Sequence, residues 1–387
     1  MKNKKISVLL TASVLFMFFG CVSANHRPGN SASNDQGKIP VIIDTDMGFD
    51  DWMAVLYLLN KSDIDIKAIT VDCAGETLCP FGAVNATKLL KLAGKPDIPV
   101  FFGEAPPSTL LYQFPPVIRK SATAMDVPGF NDIPGTKNYY GEAAAHMVTL
   151  ALQAVETKTP LTIISIGTST NIAQAVQQSK DKGLFGHFAK GIKMVYKGGG
   201  AVGEAVNGFL TNKNIHGNLS IPDIFSSENK SAEWNIYANA SGTETLSVSG
   251  LPITLIPVNL SDQVNITKQS YKDLKETAKT ASAKFVVSDI KVNVDSQGGW
   301  DKVELDYWDP SVAVAALSPG FITKKYSGVQ SCVETNKGDA HGTTYVNTPL
   351  GSSSKCKEIN LEAGTIFVYT AIDTDKFYKD FTNTLNK

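Results

Sequence analysis

Four carboxylates fall within eight residues in the stretch Asp44-Thr45-Asp46-Met47-Gly48-Phe49-Asp50-Asp51. Crowded anions repel one another, and a plain surface turn gains nothing by collecting them, so a cation is the natural neutraliser. Every donor in the stretch is oxygen, with no Cys or His among them, which suits Ca²⁺ or Mg²⁺ better than Zn²⁺. A plainer reading covers half of the set: Asp50 and Asp51 would also cap a helix and complement its dipole. It leaves Asp44 and Asp46 without a role.

The elements around these acids decide where they sit. The run from Ile39 to Ile43 is short, apolar and rich in β-branched residues, as expected of a buried strand, and Trp52–Leu59 follows as a helix. Acids that end a strand and turn through a glycine into a helix lie at the carboxyl edge of a sheet, where open α/β sheets bind ligands. Further along, strands are predicted at Ile64–Val71, Ile98–Phe102, Leu161–Ile166, Ile192–Tyr196 and Ile253–Val258. Helices are predicted at Phe81–Leu92, Tyr139–Val155, from Ile172 and over Pro310–Leu317, with a Pro-rich loop running to Pro134. This alternation implies a single large α/β domain around a doubly wound, mostly parallel sheet. Right-handed crossovers would gather the post-strand loops on one edge.

Three of those loops carry polar groups suited to a polyol or a metal. They are Gly167-Thr168-Ser169-Thr170-Asn171, Ser231-Ala232-Glu233-Trp234-Asn235-Ile236-Tyr237 and Tyr307-Trp308-Asp309-Pro310. Each also has an ordinary explanation: a helix cap, an amphipathic edge with Glu233 and Asn235 on one side if extended, and an Asp-Pro helix start. Gly198-Gly199-Gly200 lacks the Lys-Ser/Thr of a phosphate-binding loop and reads as close backbone packing.

The chain has 387 residues and a formal net charge of −1. No basic cluster points to a nucleic-acid partner. Residues 1–20 are basic, then apolar, then end in Gly20, the pattern of a secretory signal too short to span a membrane. Cys21 after Gly20 is placed like the lipidated cysteine of a bacterial lipoprotein, with an ordinary signal cleaved near Ala24 as the alternative. Residues 21–38 read as a flexible tether and residues 39–387 as the catalytic domain. An exported protein, periplasmic or at the cell surface, is the expectation, touching membrane only through the lipid on Cys21. Cys332 and Cys356 could staple the excursion between them, and Cys73 and Cys79 could pair or bind metal.

Taken together these segments resemble the inosine-uridine-preferring nucleoside hydrolases. The likeness runs from Asp44-Thr45-Asp46-x-Gly48-x-Asp50-Asp51 through Val71-Asp72-Cys73-Ala74-Gly75 and the run ending at Val100. It continues through Gly167–Asn171, Gly217-Asn218, Ala232–Tyr237 and Trp308-Asp309-Pro310. Aspartyl-phosphate phosphatases also begin with D-x-D, but Gly48 stands where they need Thr or Val.

The resemblance implies a hydrolase that splits ribonucleosides into ribose and free base, in the service of nucleoside catabolism and purine salvage. It implies one Ca²⁺ held by Asp46, Asp51, Asp309 and the carbonyl of Thr170, and Asp46 as the general base toward a calcium-bound water. Asp50 and Asn235 would hold ribose hydroxyls, and Glu233 with Asn218 the 5′-hydroxyl, Asn229 being the competitor for Asn218. Attack at C1′ would pass through an oxocarbenium-like state. Relatives form dimers or tetramers, so a homodimer or homotetramer is expected. The departures are Met47 in place of Pro, Thr168-Ser169-Thr170 in place of Pro-Leu-Thr, Glu76 in place of Asn and Trp308 in place of the His proposed to protonate the leaving base. Trp308 would stack on the base or pack in the core. The alternatives are an exported nucleoside-binding lipoprotein with little turnover, or a hydrolase of another N-ribosyl compound.

Overall fold

The computed structural model describes residues 37–104, 112–221, 224–348 and 366–387. The expectations for the leader, Cys21 and Cys356 lie outside them. Ten strands form one sheet: β1 (Ile39–Thr45), β2 (Ile64–Val71), β3 (Val100–Phe102), β4 (Tyr139–Tyr140), β5 (Leu161–Ser165), β6 (Ile192–Gly198), β9 (Ile253–Ile256), β10 (Ile322–Val333), β11 (Thr344–Asn347) and β12 (Ile366–Ile372). A separate hairpin pairs β7 (Ala205–Val206) with β8 (Phe209–Leu210). The order is β11-β10-β12-β9-β6-β5-β1-β2-β3-β4. Strands from β12 to β4 run parallel, and β10 is antiparallel to both of its neighbours.

The middle strands are apolar on both faces, as a sheet covered on both sides requires. Val41 and Ile43 enter the core layer that holds the helices Phe49–Asn60, Ala281–Ser296, Trp308–Leu317 and Thr374–Leu385. Ile42 enters the opposite layer, which holds the helices Ala143–Thr157 and Thr170–Asp181. The chain lays β2, β3 and β4 to one side of β1 and then returns to place β5 on its other side. That reversal opens a crevice beyond the carboxyl ends of β1 and β5, the switch point of a doubly wound sheet.

Three local expectations are corrected. Tyr139 and Tyr140 add a short parallel edge strand, and the helix begins only at Ala143. The Pro-rich loop contains a helix, Pro116–Ala124, started by proline at its first position. Ser231–Tyr237 is not extended, because Glu233 caps the helix Trp234–Ala238 with its side chain. Near the carboxyl terminus, β10 pairs antiparallel with β12, two strands that the apolar pattern does not predict.

Candidate active site

The turn after β1 is built by its own acids. Asp51 accepts the Gly48 amide at 2.9 Å on one oxygen, and on the other the Asp46 amide at 3.2 Å and the Thr45 hydroxyl. This fastens the helix start at Phe49 to the strand end. Met47 takes φ 63° there, and Ser169 takes φ 64° across the crevice. Left-handed backbone costs an L-residue roughly 1–2 kcal/mol, so packing must hold both. Trp52 contributes, its indole N–H donating to the Met47 carbonyl at 2.7 Å. Asp44 lies beneath, fully buried, accepting from Thr70 (2.8 Å), Asn171 (2.9 Å) and Ser165 (3.2 Å). It stitches β1, β2 and β5 together. Burial, and then the charge of Asp72, raise its pKa to about 7.

Among the described residues, carboxylate oxygens of Asp50, Asp51 and Asp309 lie within 4.8 Å of one another, and all three side chains are buried. The grouping differs from the expected one: Asp50, expected on a ribose hydroxyl, joins it, and Asp46 stands outside. The Asp46 carboxylate turns instead to the Glu76 amide, 2.9 Å away. It remains in the field of the others, since burial and then Asp51, Glu76 and Asp72 raise its pKa. Burial and then Asp51 push Asp50 up to about 8, and burial, Asp50, Asp51 and Asp46 push Asp309 up. Glu76 turns inward: its carboxylate lies over Gly48, so closely that a Cβ there would strike it. Buried carboxylates at this spacing cannot all ionise without a cation. An all-oxygen donor set of this kind fits a hard divalent ion.

The polyol side of the crevice comes from the helix at Trp234. Asn235 donates its amide to the Ile166 carbonyl at 2.9 Å, which fixes the side-chain orientation, and its Oδ1 is buried without a partner. An orphan buried acceptor calls for a hydrogen-bond donor. The Glu233 carboxylate takes the amides of Asn235 (2.8 Å), Ile236 (3.2 Å) and Gly200 (2.8 Å), joining the helix cap to the triple-glycine loop. That loop is packed backbone, with Gly199 and Gly200 at positive φ against Glu233 and Thr344. Asn229 is committed to its own turn and to the His341 carbonyl, whereas Asn218 accepts the Trp234 amide at 3.2 Å. Thr170 opens its helix, its hydroxyl held by Asn239 and Thr168 at 2.7 Å each. Trp308 is half-buried, with its N–H on Asp262 at 3.1 Å and its ring edge-on to Phe49. His341 is buried with both ring nitrogens against carbonyls, His146 stacks on Phe101, and His187 and His216 are exposed, so none joins the acids.

Three further residues join the neighbourhood of the acids through the fold. Lys197 is buried at the end of β6, its ammonium on the carbonyls of Gly167 (2.6 Å) and Gly198. A lysine ending an apolar parallel strand was the signal. Arg119, on the helix hidden in the Pro-rich segment, donates to the carbonyls of Cys73 and Thr77. Asp289 is buried one helical turn from Phe285, itself packed edge-on to Trp52, and its Oδ2 has no partner. A carboxylate on the apolar face of Phe285, Val286, Ile290 and Val294 would have marked it.

Residues 41–379 match the family model for inosine-uridine preferring nucleoside hydrolases. Uridine nucleosidase 1 of Arabidopsis thaliana is 27% identical over 320 residues, covering 81% of this chain and 84% of the relative. The pyrimidine-specific ribonucleoside hydrolase RihA of Salmonella paratyphi A is 24% identical over 303 residues, covering 76% of this chain and 85% of the relative. Among solved structures, a plant nucleoside hydrolase superposes with TM-score 0.68 at 23% identity, covering 90% of this chain and 99% of its own. The purine-preferring ribonucleoside hydrolase from Gardnerella vaginalis gives TM-score 0.65 at 19% identity, covering 90% and 98%. At these identities the structural likeness speaks for the fold.

Proposed function

The chain belongs to the inosine-uridine preferring nucleoside hydrolase family and is a hydrolase of N-glycosyl compounds, and on that premise we propose that it cleaves ribonucleosides with water to ribose and free base. The observation that carries the reading is the buried Asp50–Asp51–Asp309 group beside Asp46, at the sheet's switch point. Asp46, Asp51, Asp309 and the Thr170 carbonyl would hold Ca²⁺, with Asp50 alongside. The ion, when bound, neutralises the acids and makes water a better nucleophile near neutral pH.

The residues divide the remaining work. Asp46 accepts the proton of the attacking water. Asn235 Oδ1 takes a ribose hydroxyl, which supplies the donor it lacks, and Asp50 reads a neighbouring one. Glu233 and Asn218 face the 5′-hydroxyl. The surrounding carboxylates stabilise positive charge developing on the sugar. Trp308 offers a ring for the base to stack on. We further propose export with a lipid on Cys21, and assembly as a homodimer or homotetramer.

The test is ribose release from a panel of purine and pyrimidine nucleosides, with and without Ca²⁺, beside an Asp46→Ala control. Calcium-dependent release that vanishes in the control is expected. Thermal stabilisation by nucleosides without release would refute hydrolysis in favour of binding.

A further inference from the structure

Cys73 and Cys79 form a disulfide, with Cα atoms 5.4 Å apart. The short loop between them makes repeated contact with Asp46. The Glu76 amide donates to Asp46 Oδ2 at 2.9 Å. The Asp46 carbonyl accepts the Thr77 amide at 3.2 Å and the Thr77 hydroxyl at 2.7 Å. Gly75 passes so close that a Cβ there would overlap the Asp46 carboxylate, so its lack of a side chain is what admits the loop.

The same loop is tied down at both ends. Asp72, just before it, accepts the amides of Ala74 (2.8 Å) and Gly75 (3.2 Å), and also the amide (2.9 Å) and hydroxyl (2.5 Å) of Thr168 across the crevice. Arg119 donates to the carbonyls of Cys73 at 3.2 Å and Thr77 at 3.4 Å, spanning nearly the same interval as the disulfide. The Glu76 amide holds the Asp46 carboxylate and Thr77 holds the carbonyl of the same residue, so the loop orients this side chain. An open loop of this length samples many conformations, and a cross-link removes most of them.

We propose that the disulfide-closed loop Cys73–Cys79 is a positioning element for Asp46, so that catalysis depends on this bond being intact. The proposal rests on Asp46 acting as the base. Reduction by dithiothreitol would break the S–S bond to two thiols while the reductant closes to its cyclic disulfide, freeing the loop without changing any group that faces substrate.

The experiment compares oxidised protein, dithiothreitol-treated protein and the double variant Cys73→Ser/Cys79→Ser. Ribose release and hydrogen exchange at the Glu76 and Thr77 amides are followed in each. A catalytic group displaced by about 1 Å costs up to about 100-fold, so kcat is expected to fall at least tenfold with KM within about twofold. Exchange at both amides should quicken, reoxidation should restore the native protein, and the variant should no longer respond to reductant. A disulfide that merely stabilises would lower the melting temperature and leave kcat below it unchanged. Unchanged kcat, with alkylation and mass spectrometry showing both thiols free, would overturn the proposal. If the variant does not fold, the reduced native protein decides. If oxidised protein releases no ribose, the hydrolase reading fails instead, and the exchange rates alone then decide whether the bond holds the loop on Asp46.

Discussion

Removing divalent cations from this protein should expose a pH-dependent weakness. Asp50 is buried beside Asp51, and without a cation its pKa rises to about 8 from an ordinary value near 3.9. An acid whose pKa is raised by folding contributes stability below its unfolded pKa and loses it as pH climbs through the folded one. Cation-free protein should therefore melt at progressively lower temperature from about pH 4 to about pH 8. A bound Ca²⁺ reverses this by favouring the ionised carboxylates. At a calcium concentration of about 100 Kd, mass action adds about 2.7 kcal/mol. For a domain of roughly 350 residues that is a rise of about 4 °C. At pH 6 only about 1% of Asp50 would be ionised, so proton competition alone weakens binding about fiftyfold. At the same calcium concentration the rise then shrinks to about 1 °C. The assay is differential scanning fluorimetry of chelator-stripped protein at both pH values. Equal shifts at pH 6 and pH 8, or an undiminished shift in Asp51→Asn/Asp309→Asn, would refute the reasoning.

Three further outcomes follow from the same geometry. Asn235→Ala removes the orphan acceptor, and losing a hydrogen bond of about 1–2 kcal/mol predicts about a 5- to 30-fold fall in kcat/KM for ribonucleosides, much smaller for 2′,3′-dideoxy analogues if ribose hydroxyls are what it reads. Glu76→Gln replaces an acid whose ionisation is opposed by burial and then by Asp50 and Asp51, so cation-free protein should melt higher at pH 8 while calcium affinity, read by calorimetry, falls; an unchanged melting temperature would mean that Glu76 does not share the field. Phe381 is buried and stacks on Phe377 at 5.5 Å, so Phe381→Ala should cost about 3–5 kcal/mol in denaturant unfolding with ribose affinity of the folded protein unchanged.

Much of this site was readable from order along the chain. Asp44–Asp51 declare themselves because four like charges after an apolar run make poor sense without an edge of a sheet and something to neutralise them. The parallel strands announce themselves as continuous apolar segments, since both of their faces are covered. What sequence left open was decided by contacts between distant segments. Whether Cys73 and Cys79 pair, whether Glu76 turns in, and whether Asp46 or Asp50 lies nearest Asp309 all depend on how loops from β1, β2 and the helix at Trp308 meet at one crevice. Lys197 and Asp289 carry a local signal as charged residues in apolar patterns, whereas Arg119, half-buried, gains its meaning only from the carbonyls of Cys73 and Thr77 that folding brings to it. Glu233 makes the contrast plain: its type marks it as a group for a polyol, while folding also uses it to cap one helix and hold a glycine turn. Local pattern reports which residues must be buried or exposed; which of them face one another is a property of the closed sheet.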